Sequence, residues 1–154
     1  MQLVGKLELN LVGEALDKRK LSIGGTGQKF VDSECIRLMK PYTPNLNGVL
    51  IDSATRNTVI GSGKIVQNTP YARYHYYGVL YVDPITKKGA FYDAKTGRFW
   101  SRPNTPKIPS DRTMKYNTTK SPLAGSHWFE RMKKDNSDDI GKGLAKLCGG
   151  EFKR

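Results

Sequence analysis

One stretch of the sequence, TPYARYHYYG at residues 69–78, constrains the fold more than any other. Five of its ten residues are aromatic, counting His75, and Gly78 closes it. So many rings bring more apolar area than a surface loop needs, and the tyrosine hydroxyls favour an edge that is dry on one side and wet on the other. The stretch supplies no nucleophile, so it predicts a packing centre or an interface.

Length and charge limit the class of protein and its partners. A chain of 154 residues, 37% of them apolar, predicts a single domain (residues 1–154) with a modest core. The net charge of +12 favours nucleic acid or an acidic protein surface as a partner. Cys35 and Cys148 form no CxxC pair, and no signal peptide or long apolar run precedes them. We therefore expect a soluble protein made in a reducing cytosol, without a membrane partner.

The first forty residues predict two helices. Residues 3–9 alternate apolar and polar side chains, which fits a short strand or the start of a helix. Residues 11–21 place their apolar side chains on one side, which predicts an amphipathic helix with Asn10 as its N-cap. After a Gly-rich break, Thr26 is expected to cap a second helix that Pro41 ends. The apolar stripe of this second helix is Val31, Cys35, Leu38 and Met39.

The middle of the chain predicts a small sheet. Residues 49–54, 58–60 and 64–67 are short β-prone runs separated by turn residues, and we interpret them as three strands. They would form an antiparallel meander packed on the preceding helices, with the aromatic stretch directly after the last strand. Helices followed by a sheet indicate the α+β class.

Residues 81–122 differ in composition from the rest of the chain. They hold five of the eight prolines and nine Lys or Arg against three acidic residues, which is half of the net charge of +12. Without helical or long strand periodicity, such a segment predicts a functional loop or an arm that orders against a partner. Within it, four rings flank a Lys-Thr-Gly turn and predict a small hairpin, which either packs on its own domain or reaches a neighbour.

The last predicted element is helical. Apolar residues recur at helical spacing from Trp128 to Leu147, Gly149-Gly150 provides a C-cap, and the polar run at residues 135–139 could divide the element into two helices. In both cases it closes the core, with Trp128 as an anchor. The expected fold is therefore α+β: a small antiparallel sheet packed against two N-terminal helices and a C-terminal helix, with a long basic Pro-rich arm or loop.

No residue pattern indicates a catalytic, cofactor-binding or metal-binding site. The chain has no pair of histidines at ligand spacing, no Gly-x-Ser-x-Gly motif and no zinc-type Cys/His set. Its Gly-rich break is not a Walker loop, because Gln28 separates Gly27 from Lys29. We therefore expect a protein that is not an enzyme. A small nuclease or toxin built around His75 or His127 stays open as a third class of function.

An ordered series of short motifs extends from residue 30 to residue 131. It consists of FVDSE, KPYTP, NGVLIDSA, GSGKI, TPYARYHYYG and LAGSHWFER. The series resembles the minor capsid proteins of tailed phages and prophages of Gram-positive hosts, which are similar to head-tail joining and tail-completion proteins. That family usually has Thr-Gly-x-Leu followed by Ser, whereas here Asn47 replaces the Thr and Gly48, Leu50 and Ser53 are kept. Asn before Gly favours the same turn.

This resemblance implies a structural virion protein, a neck subunit that forms a ring joining head to tail. The implied partners are further copies of the chain and the adjacent phage head, neck and tail proteins. The implied location is the neck of the virion, after a period in the host cytoplasm. A stand-alone basic nucleic-acid-binding module is the alternative.

Two groups of side chains are candidates for these contacts. The predicted subunit or partner interface consists of Tyr71, Arg73, Tyr74, Tyr76, Tyr77, Phe91, Tyr92, Phe99 and Trp100. The candidates for non-specific contact with packaged DNA, or with acidic partner surfaces, are Lys87, Lys88, Lys95, Arg98, Arg102, Lys107 and Arg112. These cations could equally form a solvated surface that keeps an unassembled subunit soluble.

Overall fold

The computed structural model describes residues 3–6 and 20–152 of the chain. Its elements in chain order are strand β1 (Leu3–Lys6), helices α1 (Thr26–Met39) and α2 (Val49–Asn57), strand β2 (Lys64–Gln67), helix α3 (Ala72–Tyr77), strands β3 (Val79–Val82), β4 (Phe91–Asp93), β5 (Arg98–Trp100) and β6 (Ile108–Thr113), and helix α4 (Trp128–Cys148). They confirm the α+β class. The helix predicted over residues 11–21, except for its last two residues, and its cap Asn10 lie outside the described residues.

Helices α1 and α4 pack against each other and carry most of the core. The predicted stripe of α1 is confirmed, since Val31, Cys35 and Met39 are buried and Leu38 is partly buried against them. Gly25 precedes α1 and Thr26 is its first residue, so the prediction that Thr26 caps the helix is wrong. At the other end, Thr43 donates from its hydroxyl to the carbonyl of Met39 at 2.9 Å, which satisfies one of the last free carbonyl groups.

Helix α4 is continuous over 21 residues, so of the two alternatives for this element the undivided helix is found. The apolar face runs through the polar segment, because Ile140 and Leu144 continue the buried side that Phe129 and Met132 begin. Trp128 is fully buried, which confirms its predicted role as a core anchor. Gly149 takes a φ of 69° and ends the helix, as predicted.

Two glycines inside α4 are explained by rings that pack against the helix backbone. A Cβ atom at Gly143 would lie 2.6 Å from the Phe30 ring, and one at Gly141 would lie still closer to the Phe152 ring. A glycine in a helix interior costs about 1 kcal/mol relative to alanine. The close approach of the two rings offsets part of that cost.

Residues 49–57 form helix α2, although the β-prone run at 49–54 predicted a strand. The prediction is wrong because the preceding turn starts a helix. Gly48 takes a φ of 84°, and its N–H group donates to the side-chain oxygen of Asn45 at 3.0 Å. Buried residues then follow at helical spacing, at Leu50, Ser53 and Ala54.

Strand β2 is confirmed, but its partner differs from the predicted meander. Residues 58–60 form no strand, and β2 pairs antiparallel with β1, with Leu3 opposite Gln67. One of the two alternatives for residues 3–9, a short strand, is thus found at residues 3–6. The side chain of Gln67 accepts a hydrogen bond from the indole of Trp128 at 2.8 Å and donates to the carbonyl of Leu50 at 3.0 Å. Strand β2 is therefore tied to both α2 and α4.

A buried carboxylate fixes the loop that leads into β2. Asp32 on α1 accepts hydrogen bonds from the N–H groups of Gly61 at 2.7 Å and Gly63 at 3.1 Å. The amide of Gln28 donates to its other oxygen at 2.8 Å. Both glycines have positive φ, which only glycine adopts at little cost. The loop thus wraps its backbone donors around one carboxylate.

Residues 79–113, which we call the basic ribbon, contain two nested two-stranded sheets. Strand β3 pairs antiparallel with β6, and between them in the chain β4 pairs antiparallel with β5. The prediction of a small hairpin at residues 91–100 is confirmed. The pairing of β3 with β6 was not predicted, because these two strands are far apart in sequence. Whether the segment protrudes as an arm stays a prediction.

Residues 114–127 return from the ribbon to the helices. The N–H of Met114 donates to the carbonyl of Gly78 at 2.8 Å, and the N–H of Leu123 donates to that of Pro41 at 3.1 Å. Ser121 is buried. The end of the predicted 81–122 arm therefore lies against the body of the protein.

Candidate interaction surfaces

The aromatic stretch forms α3, and the phase of this helix divides its rings into two sets. Ala72 and Tyr76 point inward and are buried. Tyr74 and Tyr77 point outward and expose 41% and 53% of their surface. Gly78, with a φ of 68°, ends the helix and turns the chain into β3. The stretch is thus both a packing element and a surface, as its composition predicted.

Tyr76 belongs to the core, which corrects its prediction as an interface residue. Its ring packs edge-to-face on Trp128 with centroids 4.8 Å apart. Its hydroxyl donates to the carboxylate of Glu130 on α4. Burial, together with this carboxylate, raises the pKa of Tyr76 well above its ordinary value. Tyr76 therefore joins α3 to α4 and is not free to contact a partner.

A cleft of about 280 Å³ opens beside the outward side of α3. The Tyr74 ring packs edge-to-face on Tyr81, with centroids 4.7 Å apart. The exposed Arg73 side chain makes no hydrogen bond or ion pair with the described residues. We call this the tyrosine cleft; it is lined by Arg73, Tyr74, Tyr77, Val79 and Tyr81. The sequence prediction missed Val79 and Tyr81, although the aromatic Tyr81 so soon after the stretch was a usable signal.

Tyr71 lines a different cleft, of about 300 Å³, between α3 and the turn before α2. Its ring meets that of His75 edge-to-face at 5.6 Å. Burial lowers the pKa of His75, and its Nδ1 atom has no hydrogen-bond partner. The predicted interface residues of the aromatic stretch are therefore spread over two clefts and the core.

The hairpin of residues 91–100 carries its four rings in two cross-strand pairs. Phe91 stacks on Trp100 with centroids 4.8 Å apart, and Tyr92 meets Phe99 at 5.1 Å. Neighbouring residues of a strand point to opposite faces, so each face of the hairpin has one pair. Phe99 and Trp100 expose 74% and 50% of their surface. Both faces are therefore incompletely covered in the single chain.

Three of the seven candidate DNA-contacting cations instead brace the basic ribbon. The guanidinium of Arg102 lies 3.5 Å from the carboxylate of Asp83, Lys107 donates to the carbonyl of Gly89, and Arg112 donates to that of Lys87 at 2.5 Å. Each interaction joins a residue that follows the hairpin of residues 91–100 to a residue that precedes it. The charged groups of Arg102, Lys107 and Arg112 thus have partners within the chain, and their contact with DNA or with an acidic partner stays a prediction.

The Asp83 carboxylate organises the turn after β3. It accepts hydrogen bonds from the N–H groups of Ile85 and Thr86, both at 2.9 Å. The Thr86 N–H contributes most to lowering the pKa of Asp83, and the nearby Arg102 charge acts in the same direction. Arg102 also lies over the Phe91 ring, 5.9 Å from its centroid. This one arginine thus connects the turn to the hairpin.

Four of the seven candidate cations remain available to a partner. Their residues are exposed, and their charged groups make no hydrogen bond or ion pair within the described part of the chain. Two follow the turn after β3 and two lie at the turn of the hairpin: Lys87, Lys88, Lys95 and Arg98.

The histidines and cysteines do not form a reactive cluster. Neither His75 nor His127 shares a hydrogen bond with a carboxylate among the described residues, and those residues contain no group of three or more His, Cys, Asp or Glu placed to hold a metal ion. Burial raises the pKa of the Cys35 thiol to about 12, with the nearby charges of Asp32 and Glu34 adding to the effect. The Cys35 thiol is therefore a core group at neutral pH.

In the described part of the chain, no helix combines the length and the apolar character needed to span a membrane.

Comparison of the chain with protein-family models, with curated proteins and with solved structures gives no match.

Proposed function

We propose that this chain is a structural virion protein of a tailed bacteriophage, a neck subunit that assembles as a ring between head and tail. The ordered motif series from residue 30 to residue 131 supports this assignment by its resemblance to minor capsid and head-tail joining proteins. In this proposal the chain acts by contact and not by catalysis. The chain is located in the host cytoplasm before assembly and in the neck of the virion after it.

The observation that carries the proposal is the presence of two separate exposed aromatic surfaces. A ring is built from heterologous contacts, in which one surface of a subunit meets a different surface of the next. The tyrosine cleft and the hairpin of residues 91–100 are two such surfaces. Tyr, Trp, Phe and Arg are the residues that interface cores favour. A chain that functions as a monomer has no use for two exposed aromatic surfaces.

The proposal is tested by light scattering on the purified chain, first alone and then mixed with the head and tail proteins encoded beside it. A complex of defined mass that contains several copies of the chain together with those partners is the expected result. The matched control is the same mixture with Tyr77→Ala/Phe99→Ala, which should not assemble. A chain that stays monomeric and ignores these partners would refute the neck assignment.

A second candidate function, a stand-alone nucleic-acid-binding module, is favoured by the four available cations Lys87, Lys88, Lys95 and Arg98. Phosphate contacts would make binding independent of sequence and steeply dependent on salt. In a gel-shift series, replacing the four by Gln should reduce the salt slope by about one per lost contact. The control is Lys133→Gln/Lys134→Gln, two exposed lysines on α4. Equal loss in both variants would indicate bulk charge and no defined binding surface.

A further inference from the structure

We infer that one face of the hairpin at residues 91–100 binds single-stranded nucleic acid, with a base stacked on Trp100 and phosphates beside Arg98. This inference goes beyond the proposed ring. It deepens the second candidate function, on which it rests, by naming the binding face and the form of nucleic acid. Three observations carry it: the row of side chains on that face, the open ring of Trp100 and the free cations next to the ring.

Rings and cations share one face of the hairpin. Alternate residues of a strand point to the same face, which places Arg98 on the same side of β5 as Trp100. The Phe91 ring lies opposite Trp100 and stacks on it, with centroids 4.8 Å apart and an interplanar angle of 27°. The guanidinium of Arg102 lies 5.9 Å from the centroid of the Phe91 ring. Along this face, two stacked rings therefore lie between two arginines.

The Trp100 ring is open to a planar ligand. Phe91 covers one side of the ring, and Trp100 still exposes 50% of its surface. Every base has a π-face that can stack on an aromatic side chain, whatever its identity. The bases of a duplex are already paired and stacked on each other, whereas those of a single strand can turn outward and stack on protein rings. The open ring therefore favours a single strand over a duplex.

The cations next to the ring are free for an anionic ligand. The single acidic residue of the hairpin, Asp93, lies opposite Arg98 in the strand register. Its two carboxylate oxygens are used by the turn, since one accepts from the N–H of Lys95 at 2.9 Å and the other from the hydroxyl of Thr96 at 2.8 Å. The charged groups of Lys95 and Arg98 make no hydrogen bond or ion pair with the described residues. They can therefore contact phosphates.

Nucleic acid is favoured over an acidic protein because a single strand supplies both groups that this face can take. The carboxylates of an acidic segment would pair with Lys95 and Arg98 but would give Trp100 no planar group. A single strand has a phosphate for every base, so one strand can contact the cations and stack on the ring beside them. The opposite face of the hairpin, with Tyr92 and Phe99, stays free for the neighbouring subunit of the proposed ring.

Tryptophan fluorescence tests the stacking directly, because the two tryptophans of the chain differ in exposure. Trp128 is fully buried, whereas Trp100 lies on the proposed face. Titration with an oligothymidylate of about 12 nucleotides should quench the emission of Trp100, and a duplex of the same length should quench it little. Trp100→Phe keeps a ring on Phe91, so this variant should lose the quenching and keep the binding. Equal quenching by the duplex would overturn the inference, as would binding of the oligothymidylate without quenching.

Affinities give an independent readout, measured by the fluorescence anisotropy of a labelled oligothymidylate. Trp100→Ala should weaken binding about tenfold, as loss of one stacking ring does. Arg98→Gln should reduce the slope of log affinity against log salt by about 0.7, the value for one phosphate contact with a single strand. Phe99→Ala is the matched control, because Phe99 lies on the same strand but on the opposite face. Equal losses for Trp100→Ala and Phe99→Ala would overturn the inference.

The remaining outcomes separate the inference from the two candidate functions. If polyglutamate competes as well as the oligothymidylate at equal charge, the face takes an acidic protein and the inference fails. Salt-dependent binding that Trp100→Ala leaves unchanged also overturns it, while the second candidate function stands. Absence of binding to any nucleic acid overturns both. The ring is tested separately by light scattering with the head and tail proteins, in which Trp100→Ala should assemble as the unmodified chain does.

Discussion

The helical body and the basic ribbon are held together by different forces. In the body, α1 and α4 bury an apolar cluster that includes Val31, Met39 and Met132, and the side chains of Gln67 and Asp32 are hydrogen-bonded beside it. In the ribbon, the side chains of β5 are exposed, and β6 has one half-buried residue among exposed ones. The ribbon residues before and after the hairpin are joined by charged side chains, which contact backbone carbonyls or Asp83.

Because of this difference, aromatic residues have two separate roles in the same chain. A ring of the body, such as Trp128 or Tyr76, is needed to fold the protein. A ring of the hairpin, such as Phe99, contributes little to folding and is free to contact a partner. Substitutions in the two regions should therefore affect different measurements, and each prediction below tests that separation.

The largest effect is expected from removing the ring at the centre of the body. Trp128→Ala should lower the free energy of unfolding by about 3–5 kcal/mol, because it leaves a cavity and deprives the Gln67 amide of its indole partner. Chemical denaturation followed by circular dichroism measures the loss. Trp100→Ala is the comparison in the ribbon and should cost no more than about 1 kcal/mol. Similar losses for the two tryptophans would show that the ribbon is part of the core.

Much of the fold could be predicted because local signals were sufficient. Helix α1, strand β2, the hairpin and the glycine-capped end of α4 each show their period or their turn within a few residues. Helix α2 was missed because β-branched residues hid a helix that Asn45 and Gly48 initiate. The pairing of β3 with β6 joins residues 79–82 to residues 108–113, and no local pattern specifies such a contact.

The candidate surfaces were predicted by residue type but not by position. The stretch at residues 69–78 shows five rings, yet only the phase of α3 reveals that Tyr76 turns inward while Tyr77 turns outward. In the same way, the sequence shows Arg102 as one more cation. Its partner Asp83 is 19 positions earlier in the chain. Composition therefore identified the regions that could make contacts, and packing decided which side chains are available.

A smaller loss is expected from the buried carboxylate of the body. Asp32→Ala should destabilise the protein by about 1–3 kcal/mol, since the N–H groups of Gly61 and Gly63 would be left without an acceptor. Asp32→Asn keeps one acceptor oxygen and should cost clearly less. Both are measured as shifts in the denaturation midpoint. Asp52→Ala, at an exposed position in the first turn of α2 where the carboxylate faces Arg56, is the control and should cost no more than about 0.5 kcal/mol.

The effect of replacing Gly143 of α4 by alanine on stability is expected to change sign when the Phe30 ring is removed. Gly143→Ala alone should destabilise the protein by about 1–2 kcal/mol, because the new methyl group overpacks against the Phe30 ring. With Phe30→Ala present, the same change should stabilise it by about 1 kcal/mol through helix propensity. A double-mutant cycle by thermal unfolding measures both values. Ser137→Ala, exposed on the same helix, should show the same small effect in both backgrounds.

The smallest effect belongs to the ribbon and depends on pH. The pKa of Asp83 lies below its ordinary value in the folded chain, so the stability that this carboxylate contributes is present above the ordinary pKa and is lost as pH falls through the folded one. The turn at Ile85 and Thr86 should therefore loosen below about pH 4 while the body stays folded. The amide NMR signals of these two residues, followed from pH 7 downward, measure it. Asp83→Asn removes the titrating group and should abolish this local transition; if the body unfolds together with the turn, the separation between ribbon and body fails.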